Sequence, residues 1–102
     1  GLATVIFPNS VININASIGK NSIINSGAII EHEVSIKDNV SISPGAIVCG
    51  KSKIGKNSFI GAGTVVQQNI KIGNNCTIGS GSNVIDNVGN NKLLFGNPAR
   101  IR

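Results

Sequence analysis

The chain has 102 residues, enough for one domain; it is 40% hydrophobic but only 3% aromatic, carries two cysteines, and has a net charge of +5 with a sequence pI of about 9.7. No apolar run reaches membrane-spanning length, no signal-peptide pattern opens the chain, and the cysteines form neither a metal-type pair nor a disulfide framework, so a cytoplasmic protein without a membrane or metal is expected. The positive charge favours an anionic partner, yet the lysines and arginines are scattered without interleaved aromatic rings, which argues against nucleic acid.

From Ile6 onward an apolar β-branched residue recurs at every sixth position: Ile6, Ile12, Ile18, Ile24, Ile30, Ile36, Ile42, Val48, Ile54, Ile60, Val66, Ile72, Ile78 and Val84. Neither an amphipathic helix nor a plain alternating strand has that period. Four residues after each anchor the side chain is usually small, as at Ser10, Ala16, Ser22, Ala28, Ala46, Ser52 and Ser58. Bulky and small inward positions therefore alternate in a narrow interior.

Three residues after each anchor stands Asn or Gly, from Asn9 through Gly27, Asn57 and Gly81 to Asn87, with the exceptions of Glu33 and Lys51. Asn and Gly best tolerate a positive φ, so a corner is expected at each of these positions. A short strand and a corner every six residues make a coil, and three faces close an all-β triangular prism of about 18 residues per turn. The repeats cover 6–88 and leave 89–102 as a C-terminal extension of one domain, 1–102. Cys76 takes a small inward place and Cys49 an outward one, on different sides of the prism, so no disulfide is expected between them.

The two corner exceptions lie eighteen residues apart and so stack on adjacent turns. His32, the single histidine, is likewise eighteen residues before Gly50. The coil thus gathers His32, Glu33, Gly50 and Lys51 at one place, and breaks in a local rule mark functional sites. Histidine titrates near neutrality and serves as a general base; an adjacent carboxylate orients it; an amide beside a glycine has room for an oxyanion.

The run "INSGAIIEHEVSIKDNVSISPGAIVCG" with the following "KIGKNSFIGAGTVV" resembles the hexapeptide-repeat transferases. Within them it is similar to the family of sialic acid O-acetyltransferases and bacterial UDP-4-amino-sugar N-acetyltransferases of bacillosamine synthesis. The resemblance implies a left-handed parallel β-helix, against the usual handedness of parallel crossovers. It implies a homotrimer that binds acetyl-CoA between subunits and acetylates an amine or hydroxyl of a sugar. His32 would be the base, Glu33 its supporting acid and Gly50 the amide donor to the thioester carbonyl.

The same resemblance places the cofactor along Gly61, Ala62, Gly79 and Ser80. Ser41 stands where relatives of the bacillosamine type hold acetyl-CoA with a second histidine. The closing "GNPAR" puts Pro98 and Arg100 near the adenosine end. It also implies an N-terminal nucleotide-sugar-binding domain, which this sequence lacks; with no methionine present, an isolated C-terminal catalytic domain or a shortened relative is expected. The competing expectation is a noncatalytic trimerisation or scaffold module of the same fold.

Overall fold

The computed structural model describes residues 2–102 and shows a three-sided parallel β-helix. One face stacks β1 (Val5–Ile6), β4 (Ile23–Ile24), β7 (Ser41–Ile42), β10 (Phe59–Ile60) and β13 (Thr77–Ile78), and ends in the hairpin of β15 (Leu93–Gly96) and β16 (Ala99–Ile101). The second stacks β2 (Val11–Ile12), β5 (Ile29–Ile30), β8 (Ile47–Val48), β11 (Val65–Val66) and β14 (Asn83–Val84). The third stacks β3 (Ser17–Ile18), β6 (Ser35–Ile36), β9 (Lys53–Ile54) and β12 (Lys71–Ile72). Partners such as Ile30 and Val48, or Ile60 and Ile78, stand eighteen residues apart and side by side. No helix among the described residues is long and apolar enough to cross a membrane.

The corners obey the backbone rule. Each one from Asn9 to Gly81 has a positive φ, including Glu33 at 59° and Lys51 at 66°. The eighteen-residue register also sorts them by edge. Asn21, Asn39, Asn57 and Asn75 line the edge between third and first faces, where Asn57 Nδ2 donates to Asn75 Oδ1 at 3.1 Å. Gly27, Gly45, Gly63 and Gly81 line the edge between first and second faces. Glu33 and Lys51 belong to the edge between second and third faces, flanked by Asn15 and Asn69.

The core is the expected one. Ile24, Ile30, Ile42, Ile54, Ile60 and Ile78 are fully buried, each contributing about 1.5–3 kcal/mol. Buried serines at the small inward positions have a second role. Ser22 Oγ donates to Lys37 O at 2.9 Å and accepts from Val40 N at 3.1 Å; Ser58 Oγ donates to Gly73 O at 2.8 Å and accepts from Cys76 N at 3.0 Å. These hydroxyls staple each coil to the next and leave no buried side-chain oxygen or nitrogen unpaired among the described residues.

The repeat departs from expectation at its two ends. Ile6 and Ile12, though inward in register, are 52% and 36% exposed because no layer lies beneath them. At the other end the last coil is shorter. Val84 still pairs with Val66 eighteen residues below, but Val88 bridges Ile72 and Leu94 pairs with Ile78, each sixteen below. Val88 therefore takes an anchor place rather than a small one. Asn87 is not a positive-φ corner; its Oδ1 accepts from Lys71 N at 2.9 Å, and Asn91, with φ 60°, turns the chain above Asn75 instead. The extension is not a separate tail: Leu94 closes the core and the hairpin covers the top of the prism. Both cysteines are free thiols, Cys76 buried and Cys49 half-buried.

Candidate active site

His32 and Glu33 occupy the turn between β5 and β6. Glu33 is pinned in the left-handed conformation, its N–H donating to Ile14 O at 3.1 Å one coil below. That turn brings Glu33 Oε1 to 3.3 Å from His32 Nδ1, both side chains being half-exposed. In the tautomer whose Nδ1–H donates to this carboxylate, the Nε2 lone pair is free.

Nε2 points over the next coil. A Cβ built on Gly50 would sit 2.6 Å from His32 Nε2 and 2.8 Å from Cε1. Only glycine lets the imidazole lie there. The coils are locked at this point by Lys51 N donating to His32 O at 3.0 Å. Gly50 O accepts from Asn69 N at 3.0 Å, while the Gly50 N–H meets no acceptor among the described residues. An imidazole, a carboxylate beside it and an unused backbone donor thus share one corner of the prism, groups of the kind that can take a proton and hold an oxyanion.

Two further residues adjoin this corner and were given no site role from the sequence. Glu31 accepts from Asn13 Nδ2 at 3.2 Å, one coil below, and Cys49 stands one coil above Glu31. Burial, and secondarily the charge of Glu31, push the Cys49 thiol above its ordinary pKa. The eighteen-residue step that linked His32 to Gly50 links Asn13, Glu31 and Cys49 as well, and was the available signal.

The remaining sequence-predicted positions lie elsewhere on the chain. Ser41 is on the first face, in register with Ile23 and Phe59. Gly61, Ala62, Gly79 and Ser80 line the edge between first and second faces, across the second face from His32. Gly61 has a packing reason of its own: a Cβ there would meet Ser80 N at 2.6 Å and Ile78 O at 2.7 Å, and one on Gly79 would meet Phe95 Cβ at 2.8 Å. Ala62 O accepts from Gly81 N at 2.8 Å. Pro98 sits in the hairpin turn after a cis Asn97–Pro98 bond, and Arg100 is exposed on β16 opposite Phe95. One chain therefore unites His32, Glu33 and Gly50, but not these with the other seven.

Residues 15–50 and 51–86 match the family described as bacterial transferase hexapeptide (six repeats). Among solved structures, a mutant of perosamine N-acetyltransferase from Caulobacter crescentus, in complex with CoA and GDP-perosamine, is 25% identical with a TM-score of 0.89; the match covers 98% of this chain and 53% of that one. WeeI from Acinetobacter baumannii AYE is 30% identical with a TM-score of 0.91, covering 97% and 55%. A maltose O-acetyltransferase from Clostridium difficile 630 is 27% identical with a TM-score of 0.87, covering 97% and 65%. The chain thus spans about half the length of the first two. No curated protein sequence matches it.

Proposed function

From the premise that this chain belongs to the bacterial hexapeptide-repeat transferase family, we propose that it carries an acetyl group from acetyl-CoA to an amine or hydroxyl of a bacterial sugar, a sialic acid or a nucleotide-linked amino sugar. The observation that carries the reading is the His32 imidazole lying over Gly50 with Glu33 at its other nitrogen.

In this mechanism Nε2 of His32 removes a proton from the acceptor as its nitrogen or oxygen attacks the thioester carbonyl. The Gly50 N–H receives the oxyanion of the tetrahedral intermediate. Collapse breaks the carbon–sulfur bond, the thiolate of CoA takes the proton back from the imidazolium, and the base is restored. Glu33 holds the proton on Nδ1 throughout and favours the charged ring.

The cofactor's place requires a second copy. His32 and the low edge of Ala62 and Ser80 lie on different corners of one prism. Two copies side by side would bring one chain's His32 corner to the next chain's Gly61, Ala62, Gly79 and Ser80, and a homotrimer closes that relation on itself. The apolar outward residues support such packing: Val5, Ile23, Phe59 and Leu93 on the first face and Val11 on the second are each 39–48% exposed in the single chain. Ser41, Pro98 and Arg100 would complete the cofactor groove, Arg100 at a phosphate. We further propose that 1–102 is the catalytic domain of a cytoplasmic enzyme, and that a separate nucleotide-sugar-binding domain sets acceptor affinity.

The test is a thermal melt with acetyl-CoA together with an acetyl-transfer assay against sialic acids and nucleotide-linked amino sugars. Acetyl-CoA should raise the melting temperature. His32→Ala should keep that shift and lose turnover. Absence of any shift would instead identify a scaffold module, and unchanged turnover in His32→Ala would remove the histidine from the chemistry.

A further inference from the structure

Lysines that are scattered in the sequence are gathered by the fold. Lys53 and Lys71 are direct register partners on the outer side of β9 and β12. Lys37 follows β6 one coil lower, in the column that continues upward through Gly55 and Gly73. Lys20 and Lys56 flank the same face at its asparagine edge. By contrast the exposed phenylalanines, Phe7, Phe59 and Phe95, all belong to the first face or the turns leaving it.

The three central lysines border a recess of about 480 Å³ on the third face, which Ile54, Gly55, Ile72, Gly73, Asn74 and Val88 also line. The two glycines let successive coils approach closely here: a Cβ on Gly55 would meet Gly73 C at 2.5 Å, and one on Gly73 would meet Gly89 C at 2.8 Å. Like charges directly opposite on neighbouring strands destabilise a sheet, and Lys53 and Lys71 stand one strand spacing apart, about 4.8 Å. No lysine forms an ion pair among the described residues, and Asp38, the nearest acid along the edge, accepts from the Lys20 N–H at 3.0 Å.

We infer that this recess is a binding site for a small phosphorylated ligand bearing at least two negative charges, distinct from the acetyl-CoA groove. Lys53 and Lys71 would clamp adjacent phosphoryl oxygens and Lys37 would close the lower side; the Gly55 and Gly73 N–H groups already donate to Ile72 O and Val88 O, so the lysines supply the contacts. The absence of aromatic side chains from this face excludes base stacking, so single-stranded nucleic acid does not fit.

Inorganic pyrophosphate is the probe, titrated at constant ionic strength and followed by calorimetry and by thermal melt. Saturable binding is expected, weakened about tenfold or more in the double variant Lys53→Gln/Lys71→Gln, which is exposed enough to fold normally. Acetyl-CoA stabilisation should be the same in that variant, and saturating CoA should not displace pyrophosphate. Equal binding by the variant, or displacement by CoA, overturns the inference. So does binding to phosphatidylglycerol vesicles without any binding of free pyrophosphate, since the face would then read a membrane surface and the recess would hold no small ligand. Because the readout is pyrophosphate itself, a failed acetyl-transfer assay leaves this outcome unaffected.

Discussion

His32 Nε2 occupies the space that a Cβ on Gly50 would need, 2.6 Å from it, so one residue's missing side chain sets the other's position. The colliding atoms are the tip of a half-exposed ring that can swing away. Gly50→Ala should therefore melt within a few degrees of the wild type, while turnover falls about a hundredfold from a misplacement of order 1 Å. Gly61→Ala should behave in the opposite sense. Its new methyl meets the backbone of Ile78, Gly79 and Ser80, which cannot swing, and should cost about 1–3 kcal/mol in denaturant unfolding. Full activity in Gly50→Ala would show that the imidazole works from another place.

Glu33 holds φ 59° where its neighbours on the same edge, Asn15 and Asn69, hold 61° and 60°. A glutamate tolerates that region less well than asparagine. Glu33→Asn should gain about 0.5–1 kcal/mol of stability and lose most activity. Lys51→Asn should gain a similar amount by the same relief of strain. Chemical denaturation of both variants, with an assay of the first, checks this. A Glu33→Asn protein as active as the parent would leave the carboxylate without a role.

Cys49 supplies a pH dependence. Burial, then Glu31, raise its thiol pKa in the folded chain above the unfolded value. The native state thus holds the proton more tightly. The associated stability is complete below the unfolded thiol pKa of about 8.5 and is lost as pH rises through the native value. Denaturation midpoints measured from pH 7 to pH 10 should fall less steeply in Cys49→Ala than in the parent. Glu31→Gln should speed alkylation of Cys49 at mildly alkaline pH. Identical slopes in parent and Cys49→Ala would contradict the buried-thiol account.

Position in the stack should decide the cost of core truncation. Ile60 is fully buried between two coils, and Ile60→Ala should cost about 2–5 kcal/mol. Ile6 has the same place in the repeat but is 52% exposed at the open end, so Ile6→Ala should cost about 1 kcal/mol or less. Equal losses would mean that the lower end is covered in solution.

Particular residues show how far the sequence could be read. The six-residue spacing named the buried isoleucines, and the asparagine and glycine corners named the turns, because both depend on local chemistry repeated along the chain. The stacking of His32 on Gly50 was legible from the same count, since eighteen residues return the chain to one edge. Ser22 and Ser58 were legible as small but not as staples between coils, a role that needs an acceptor fifteen residues away. The short last coil was hidden because Asn87 and Val88 keep the composition of the repeat while Val88 bridges Ile72.

What the sequence by itself determined is the coil: every corner except Glu33 and Lys51 carries an Asn or Gly suited to the backbone there, and every anchor a residue suited to a flat, narrow core. What only the tertiary structure decided is the company each outward residue keeps. Lys37, Lys53 and Lys71 are strangers along the chain and neighbours on one face, whereas His32 and Ala62 are parted by a whole face of the prism. The reason is that the backbone preferences are satisfied residue by residue. Charge proximity, exposure at the open end and the lie of the imidazole depend on layers that meet only after the chain has wound upon itself.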